Sequence, residues 1–209
     1  MTDARSSQNP DDLIPARTLL KAFCVVAILL VAFVLYVMHH VAGAEPAAEH
    51  KAGPNVTIQA CFTGPTQPGN CQEFIIDLIN SARGTIHMQA YEFTDGAIAE
   101  ALIARHRDLK DIVVIVDKSQ RTQRYSMVPD LARAGIIVAV DAAPKIAHNK
   151  DILIDPTGAN PAVETGSLNY TTSAENRNAE NAVVIRNDTD LARQFETYFE
   201  ARYRQSEPW

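Results

Sequence analysis

From residue 56 onward, two hydrophobic periods take turns along the chain. Val56, Ile58 and Ala60 alternate with polar neighbours, a period of two that predicts a strand. Phe74, Ile75, Leu78, Ile79 and Ala82 then recur at helical spacing, and Thr85 to Tyr91 reads as a second strand. Thr94 and Asp95 are cap residues for a helix that runs to about His106. Ile112 to Val116 and Ile136 to Val140 are unbroken apolar runs, the pattern of strands buried on both faces. A helix is predicted between them, from Val128 to Ala134, with Gly135 placed for a left-handed C-terminal cap. Three short strands follow, at Ile152 to Ile154, Ala162 to Ser167 and Ala182 to Ile185. Leu191, Phe195, Tyr198, Phe199 and Tyr203 form one stripe of a closing helix. Strands alternating with helices predict an α/β layered domain, and the late succession of strands adds antiparallel character. No internal repeat or low-complexity segment is present.

Ahead of this domain stands a different pattern. Ala22 to Met38 is wholly uncharged, preceded by Arg17 and Lys21 and followed by His39, His40 and Glu45. The run is close to the shortest that spans a bilayer and a little longer than a usual signal-peptide core. With Ala42-Gly43-Ala44 as a small-residue cleavage site, residues 22–44 read as a transmembrane anchor or a signal peptide. Residues 1–21 are then a short cytoplasmic segment, 45–55 a linker, and 56–209 the working domain. The basic flank stays in the cytoplasm, so the domain is expected to be periplasmic or extracellular. If uncleaved, residues 22–38 would hold it at the inner membrane.

Charge and cysteine content narrow the classes. Lys and Arg total 19 against 25 Asp and Glu, a net charge of −6, which excludes a strongly basic nucleic-acid coat protein. Residues 1–44 hold three basic residues (Arg5, Arg17, Lys21) and three acidic ones (Asp3, Asp11, Asp12), so the remainder keeps the whole −6. Any chemistry on phosphate must therefore rely on local positive charge. Cys24 lies inside the apolar run, while Cys61 and Cys71 flank the turn-rich stretch TGPTQPGN. That pair reads as a disulfide in an oxidising compartment or, alternatively, as a metal pair, for which His50 in the linker is the only imidazole nearby. The exported setting favours the disulfide.

Familiar hydrolase motifs (G-x-S-x-G, a Walker loop, H-E-x-x-H) do not occur. What stands out is Ala147-His148-Asn149-Lys150-Asp151-Ile152-Leu153-Ile154-Asp155. On an extended segment His148 and Lys150 point to one face. Gly166-Ser167-Leu168-Asn169-Tyr170-Thr171-Thr172 comes next, then Glu175-Asn176-Arg177-Asn178-Ala179-Glu180-Asn181. H-x-K, four residues, Asp, and then G-S-x-N resembles the signature of the phospholipase D superfamily. From Val56 to Arg204 the chain resembles the small bacterial nonspecific endonucleases of that superfamily. It departs from them in a longer turn over Pro156 to Pro161 and in the Cys61–Cys71 pair.

The resemblance implies a mixed, largely parallel sheet flanked by helices on both faces, in a two-fold homodimer. It implies a phosphodiesterase that uses no cofactor and no metal. A neutral imidazole can attack phosphorus to form a phosphohistidine, and a second imidazole can protonate the leaving oxygen and then activate water. His148 takes the first role; Lys150, Ser167 and Asn169 would hold the non-bridging oxygens, and Glu180 would fix the His148 tautomer. Asp155 is expected to be structural. Only one H-x-K occurs, so the second histidine must come from a second copy sharing one site. The motif leaves nucleic acid, DNA or RNA, and phospholipid such as cardiolipin or phosphatidylcholine as substrates, with an inactive nucleic-acid-binding homologue as a third reading. Lys118, Arg121, Arg124 and Lys145 are candidate contacts to a phosphate backbone, whereas His87 and His106 read as structural.

Overall fold

The computed structural model describes residues 27–36, 50, 52–64 and 70–209. Of the apolar run, residues 27–36 form a helix, α1, with exposed side chains such as Ile28, Leu29 and Phe33. At 1.5 Å per residue it is about 15 Å long. No helix among the described residues is long and apolar enough to cross a membrane. The rest of the proposed anchor, the segment 1–21 and most of the linker lie outside the described residues. Residues 1–49 and 50–209 are separate compact units, and every strand among the described residues lies in the second.

The elements of this second unit are β1 (Thr57–Phe62), α2 (Cys71–Asn80), β2 (Thr85–Ala90), α3 (Gly96–Arg105), β3 (Asp111–Asp117), α4 (Val128–Arg133) and β4 (Ile137–Asp141). They continue with β5 (Lys150–Ile154), β6 (Ala162–Gly166), α5 (Thr172–Asn176), β7 (Asn181–Arg186), α6 (Thr189–Gln205) and β8 (Glu207–Pro208). The predicted strands and the long helices all appear; α5, β8 and a 3-10 turn at Lys118–Arg121 had no predicted counterpart.

All eight strands join one sheet in the order β1-β7-β6-β5-β2-β3-β4-β8. The sheet is mixed, but its balance corrects the expectation of a largely parallel one. Only β2/β3 and β3/β4 are parallel pairs, and the other five neighbours run antiparallel. The reason is connection length. Parallel neighbours need a crossover such as α3 or α4, whereas residues 155–161 between β5 and β6 can only turn the chain back, and β1 with β7 and β2 with β5 meet antiparallel from distant parts of the chain.

Alternation within strands sorts the core into two layers. Ile86, Met88, Ile112, Val114, Val138, Ile152 and Ile154 face α2, α3 and α4, where Ile75, Leu78, Ile79, Ile98 and Leu102 meet them. Val113, Ile115, Ala139, Leu153 and Val163 face the other way, onto Ala192, Phe195 and Phe199 of α6. Both faces of β3 are covered, which is why its sequence is an unbroken apolar run.

Helix starts are fixed by the expected chemistry. Asp95 accepts bonds from the Ala97 and Ile98 amides at 2.9 and 3.1 Å, and Asn70 accepts one from the Glu73 amide at 3.1 Å. Gly135, at φ 89°, closes α4 in the left-handed region. α6 is fastened by more than apolar contact. Arg202 donates to both oxygens of Asp141 at 2.8 and 2.7 Å, and the His87 ring stacks on Phe199 at 4.4 Å. His87 also pairs with Glu196 at 2.9 Å. Burial lowers the His87 pKa, but Glu196 and Asp111 outweigh it and leave the net value raised.

Candidate active site

β5 runs antiparallel to β2, so its first residue lies where the parallel strands β2, β3 and β4 end. Functional groups of α/β folds gather at that edge. The segment leading into β5 is pinned before it arrives. The Ala147 amide donates to Asp117 at 2.8 Å and the Tyr91 amide donates to the Asn149 carbonyl at 3.0 Å. Burial raises the Asp117 pKa, yet bonds from the Ser119 and Ala147 amides outweigh it and hold the carboxyl ionised below its ordinary range. The Asn149 amide group reaches Gln89 Oε1 at 3.3 Å, and Gln89 Nε2 is 3.1 Å from each oxygen of Asp151.

His148 is exposed and Lys150 is buried beside it. The Lys150 Nζ lies 3.0 and 3.1 Å from the two ring nitrogens and donates to the His148 carbonyl oxygen at 2.9 Å. The Tyr91 ring packs on His148 at 4.6 Å between centroids, and the Lys150 ammonium lies 5.2 Å from the Tyr91 ring. Burial lowers the Lys150 pKa, while the charges of Glu180 and Glu92 pull it back part of the way. Imidazole, ammonium and two carboxylates thus share one end of the sheet.

Ser167 follows β6, and the turn there depends on Gly166. A Cβ at Gly166 would lie 2.2 Å from the Asn181 carbonyl oxygen, so only glycine lets β6 approach β7 this closely. Ser167 Oγ donates to Glu180 Oε2 at 2.6 Å and accepts from the Asn181 amide at 3.2 Å. Asn178 Nδ2 donates to Glu180 Oε1 at 3.0 Å. Glu180, expected to hold the His148 ring, bonds these two residues instead. Its carboxylate is taken up by Ser167 and Asn178, and it acts on Lys150 through its charge. Asn169 Oδ1 is buried with no hydrogen-bond partner.

Asp155 stands at the far end of β5. At φ 45° it accepts bonds from the Arg83, Gly84 and Thr85 amides at 2.9, 2.8 and 2.8 Å, tying the α2–β2 turn to the sheet. The cleft of about 690 Å³ there, lined by Arg83, Asp155 and Arg186, is the larger one but contains no imidazole. The cleft of about 480 Å³ beside His148 and Lys150 is the candidate site; Leu191, Phe195 and Tyr198 of α6 form its apolar wall. Of the basic candidates, Lys118 bonds the Ala142 and Pro144 carbonyls and Arg121 pairs with Glu207. Arg124 lies 5.2 Å from the exposed Tyr125 ring. Cys61 and Cys71 form a disulfide. Among the described residues no three of His, Cys, Asp and Glu converge as a metal site would require.

Sequence reasoning singled out neither Tyr91 nor Glu92, although both follow a strand at the edge where α/β sites form. It also missed Thr63, for which no local signal exists.

A family model for the PLD-like domain of cardiolipin synthase matches residues 75–203. A phospholipase D of Rickettsia bellii is 42% identical over 135 residues, covering 65% of this chain and 63% of that protein. A mitochondrial cardiolipin hydrolase of Xenopus laevis is 28% identical over 134 residues, 64% of this chain and 61% of the relative. The matched segment thus spans a little under two thirds of these relatives' length. The crystal structure of Nuc, a phospholipase D family member from Salmonella typhimurium, superposes with a TM-score of 0.66 at 32% identity, covering 74% of this chain and 99% of Nuc. NucT from Helicobacter pylori shares the fold, with a TM-score of 0.64 at 20% identity over 74% of this chain and all of NucT (100%).

Proposed function

The chain belongs to the phospholipase D superfamily, and from that premise we propose that it is a phosphodiesterase working through a phosphohistidine on His148. The observation that carries this reading is the exposed His148 imidazole with the Lys150 ammonium 3.0 Å away. A neutral ring nitrogen of His148 attacks phosphorus, an N–P bond forms and the bond to the leaving oxygen breaks. The partner subunit's His148, as imidazolium, gives its proton to that oxygen. Water then loses a proton to the same imidazole and displaces His148 from phosphorus, releasing a phosphomonoester. Lys150 faces the charge that gathers on the non-bridging oxygens. The positive charge for the reaction thus comes from side chains, so no metal is required.

One H-x-K per chain makes a second copy necessary, and a covering is wanted on the α6 side of the sheet. Cys61 packs toward α2, so Ile58 and Phe62 alternate to the opposite face, where they are 65% and 55% exposed. Val183 and Ile185 of β7 lie beside them, half-buried. We place the homodimer contact on this apolar face.

For substrate, nucleic acid is the first reading, supported by the exposed Arg124–Tyr125 pair, a cation and an aromatic surface suited to phosphate and base. Phospholipid is the second, favoured by the apolar wall of Leu191, Phe195 and Tyr198 inside the His148 cleft. The disulfide and the uncharged run 22–38 support an exported location.

The deciding test offers the full chain plasmid DNA, RNA, and phosphatidylcholine or cardiolipin vesicles, each with EDTA, beside His148→Ala. Nucleic-acid cleavage that survives EDTA and falls below about a hundredth in the variant supports the nuclease. Headgroup release without cleavage moves the reading to the lipase, and activity surviving in His148→Ala overturns the mechanism.

A further inference from the structure

Glu180 stands between α5 and β7, one residue ahead of the first β7 pair, Phe62 with Asn181, so it faces Thr63 where the pairing of β1 with β7 runs out. What fixes it is a residue on the neighbouring edge strand. Thr63, just past β1 and 5% exposed, donates its amide to the Glu180 carbonyl at 3.0 Å. Its hydroxyl accepts from the Glu180 amide at 3.1 Å. The same hydroxyl has the Ala174 and Asn178 carbonyls at 2.9 and 3.0 Å and gives its one proton to either. Thr63 therefore grips Glu180 from both sides of its backbone, and also touches Asn178, the residue that bonds the Glu180 carboxylate.

Thr63 is itself held. Cys61, two residues earlier, is bonded to Cys71 at the first turn of α2. The next amide, of Gln72, donates to Glu175 of α5 at 3.1 Å. Edge strand, α2 and the α5–β7 segment are thereby tied together by one disulfide and two sets of hydrogen bonds.

We infer that Thr63, braced by the Cys61–Cys71 disulfide, is a positioning residue of the site: it sets the Glu180 carboxylate against Ser167 and within reach of the Lys150 ammonium. This rests on the phosphodiesterase reading for its catalytic meaning, though not for its geometry. The consequence is electrostatic. Burial lowers the Lys150 pKa and Glu180 raises it, so a Glu180 that drifts away leaves Lys150 to lose its proton at lower pH.

The test follows the Lys150 ammonium by NMR titration in selectively lysine-labelled full chain, assigned with Lys150→Arg. Wild type is compared with Thr63→Val, Thr63→Ser, Glu180→Gln and the double variant Cys61→Ser/Cys71→Ser. Thr63→Val should shift the Lys150 titration toward lower pH, in the direction Glu180→Gln sets, and Thr63→Ser should restore it. The cysteine variant should give an intermediate shift, and it carries the test if Thr63→Val does not fold. An unchanged Lys150 titration in Thr63→Val or in the cysteine variant, with the shift present in Glu180→Gln, overturns the inference. In parallel, kcat for hydrolysis of bis(p-nitrophenyl) phosphate should fall about tenfold in Thr63→Val with KM within about twofold. A wild type that leaves the diester intact counts against the phosphodiesterase reading alone, because the titration needs no turnover.

Discussion

Glu164 shows how far one side chain can be moved by where its strand lies. It is fully buried on β6, with the Tyr170 hydroxyl donating to Oε2 at 2.7 Å and Oε1 left without a partner. Burial pushes its pKa to about 8, with the nearby Asp151 adding to the rise and the Tyr170 bond opposing it. Asp151, on the other face of the neighbouring strand, is raised to about 7 by burial against the opposing bond from Gln89. A carboxyl with a raised folded-state pKa favours folding fully below its ordinary value of 4.5, and that contribution is lost as pH climbs through about 8. Glu164→Gln removes the titration while keeping the shape. We expect it to flatten the fall in stability between pH 5 and pH 9, and to exceed wild type at pH 9 by on the order of 2 kcal/mol in urea unfolding. Equal losses at both pH values would show that the carboxyl is not the source of the slope.

Among the elements, α6 carries two duties. It covers the second core layer through Ala192, Phe195 and Phe199, and it supplies the wall of the His148 cleft. Apolar contact alone fixes neither its rotation nor its end. The pair of Arg202 with Asp141, the latter 3% exposed, fixes the C-terminal half against β4. Removing the guanidinium strands a buried carboxylate, so Arg202→Met should cost about 3 kcal/mol in denaturant unfolding. Asp141→Asn in the same background should recover part of that loss. A cost for Arg202→Met below about 0.5 kcal/mol, the range of an ordinary surface change, would mean that the pair does not hold the helix.

For the whole molecule the decisive quantity is the number of copies in the working enzyme. The proposed mechanism uses two imidazoles, and each chain brings one H-x-K. The exposed Ile58 and Phe62 adjoin the face that a second copy would cover. Ile58→Glu/Phe62→Glu places two charges there without disturbing either core layer. Sedimentation should then find monomers with an unchanged far-ultraviolet spectrum, and hydrolysis should drop at least about tenfold. Monomers with full activity would remove the shared site from the mechanism.

Much of this was legible in the chain, because it depends on neighbours in sequence. Periods of two and of helical spacing located the strands and the long helices, Gly135 marked the end of α4, and the H-x-K spacing put His148 and Lys150 on one side of an extended segment. Spacing along a strand survives any fold that keeps the strand. Pairing between distant segments does not announce itself in this way. The excess of antiparallel neighbours depended on which distant strands met, β1 with β7 and β2 with β5. That Glu180 bonds Ser167 and Asn178 and not His148 depended on how β6 and β7 meet at Gly166. Thr63 meets Glu180 across 117 residues, with nothing in either local sequence to say so. Local periodicity and covalent spacing thus determined the elements and the adjacency of His148 and Lys150. The surroundings that tune the pair, buried carboxyls, unshielded charges and hydrogen bonds closed between remote loops, came into being only when the sheet was assembled, since burial and distance are properties of the packed molecule.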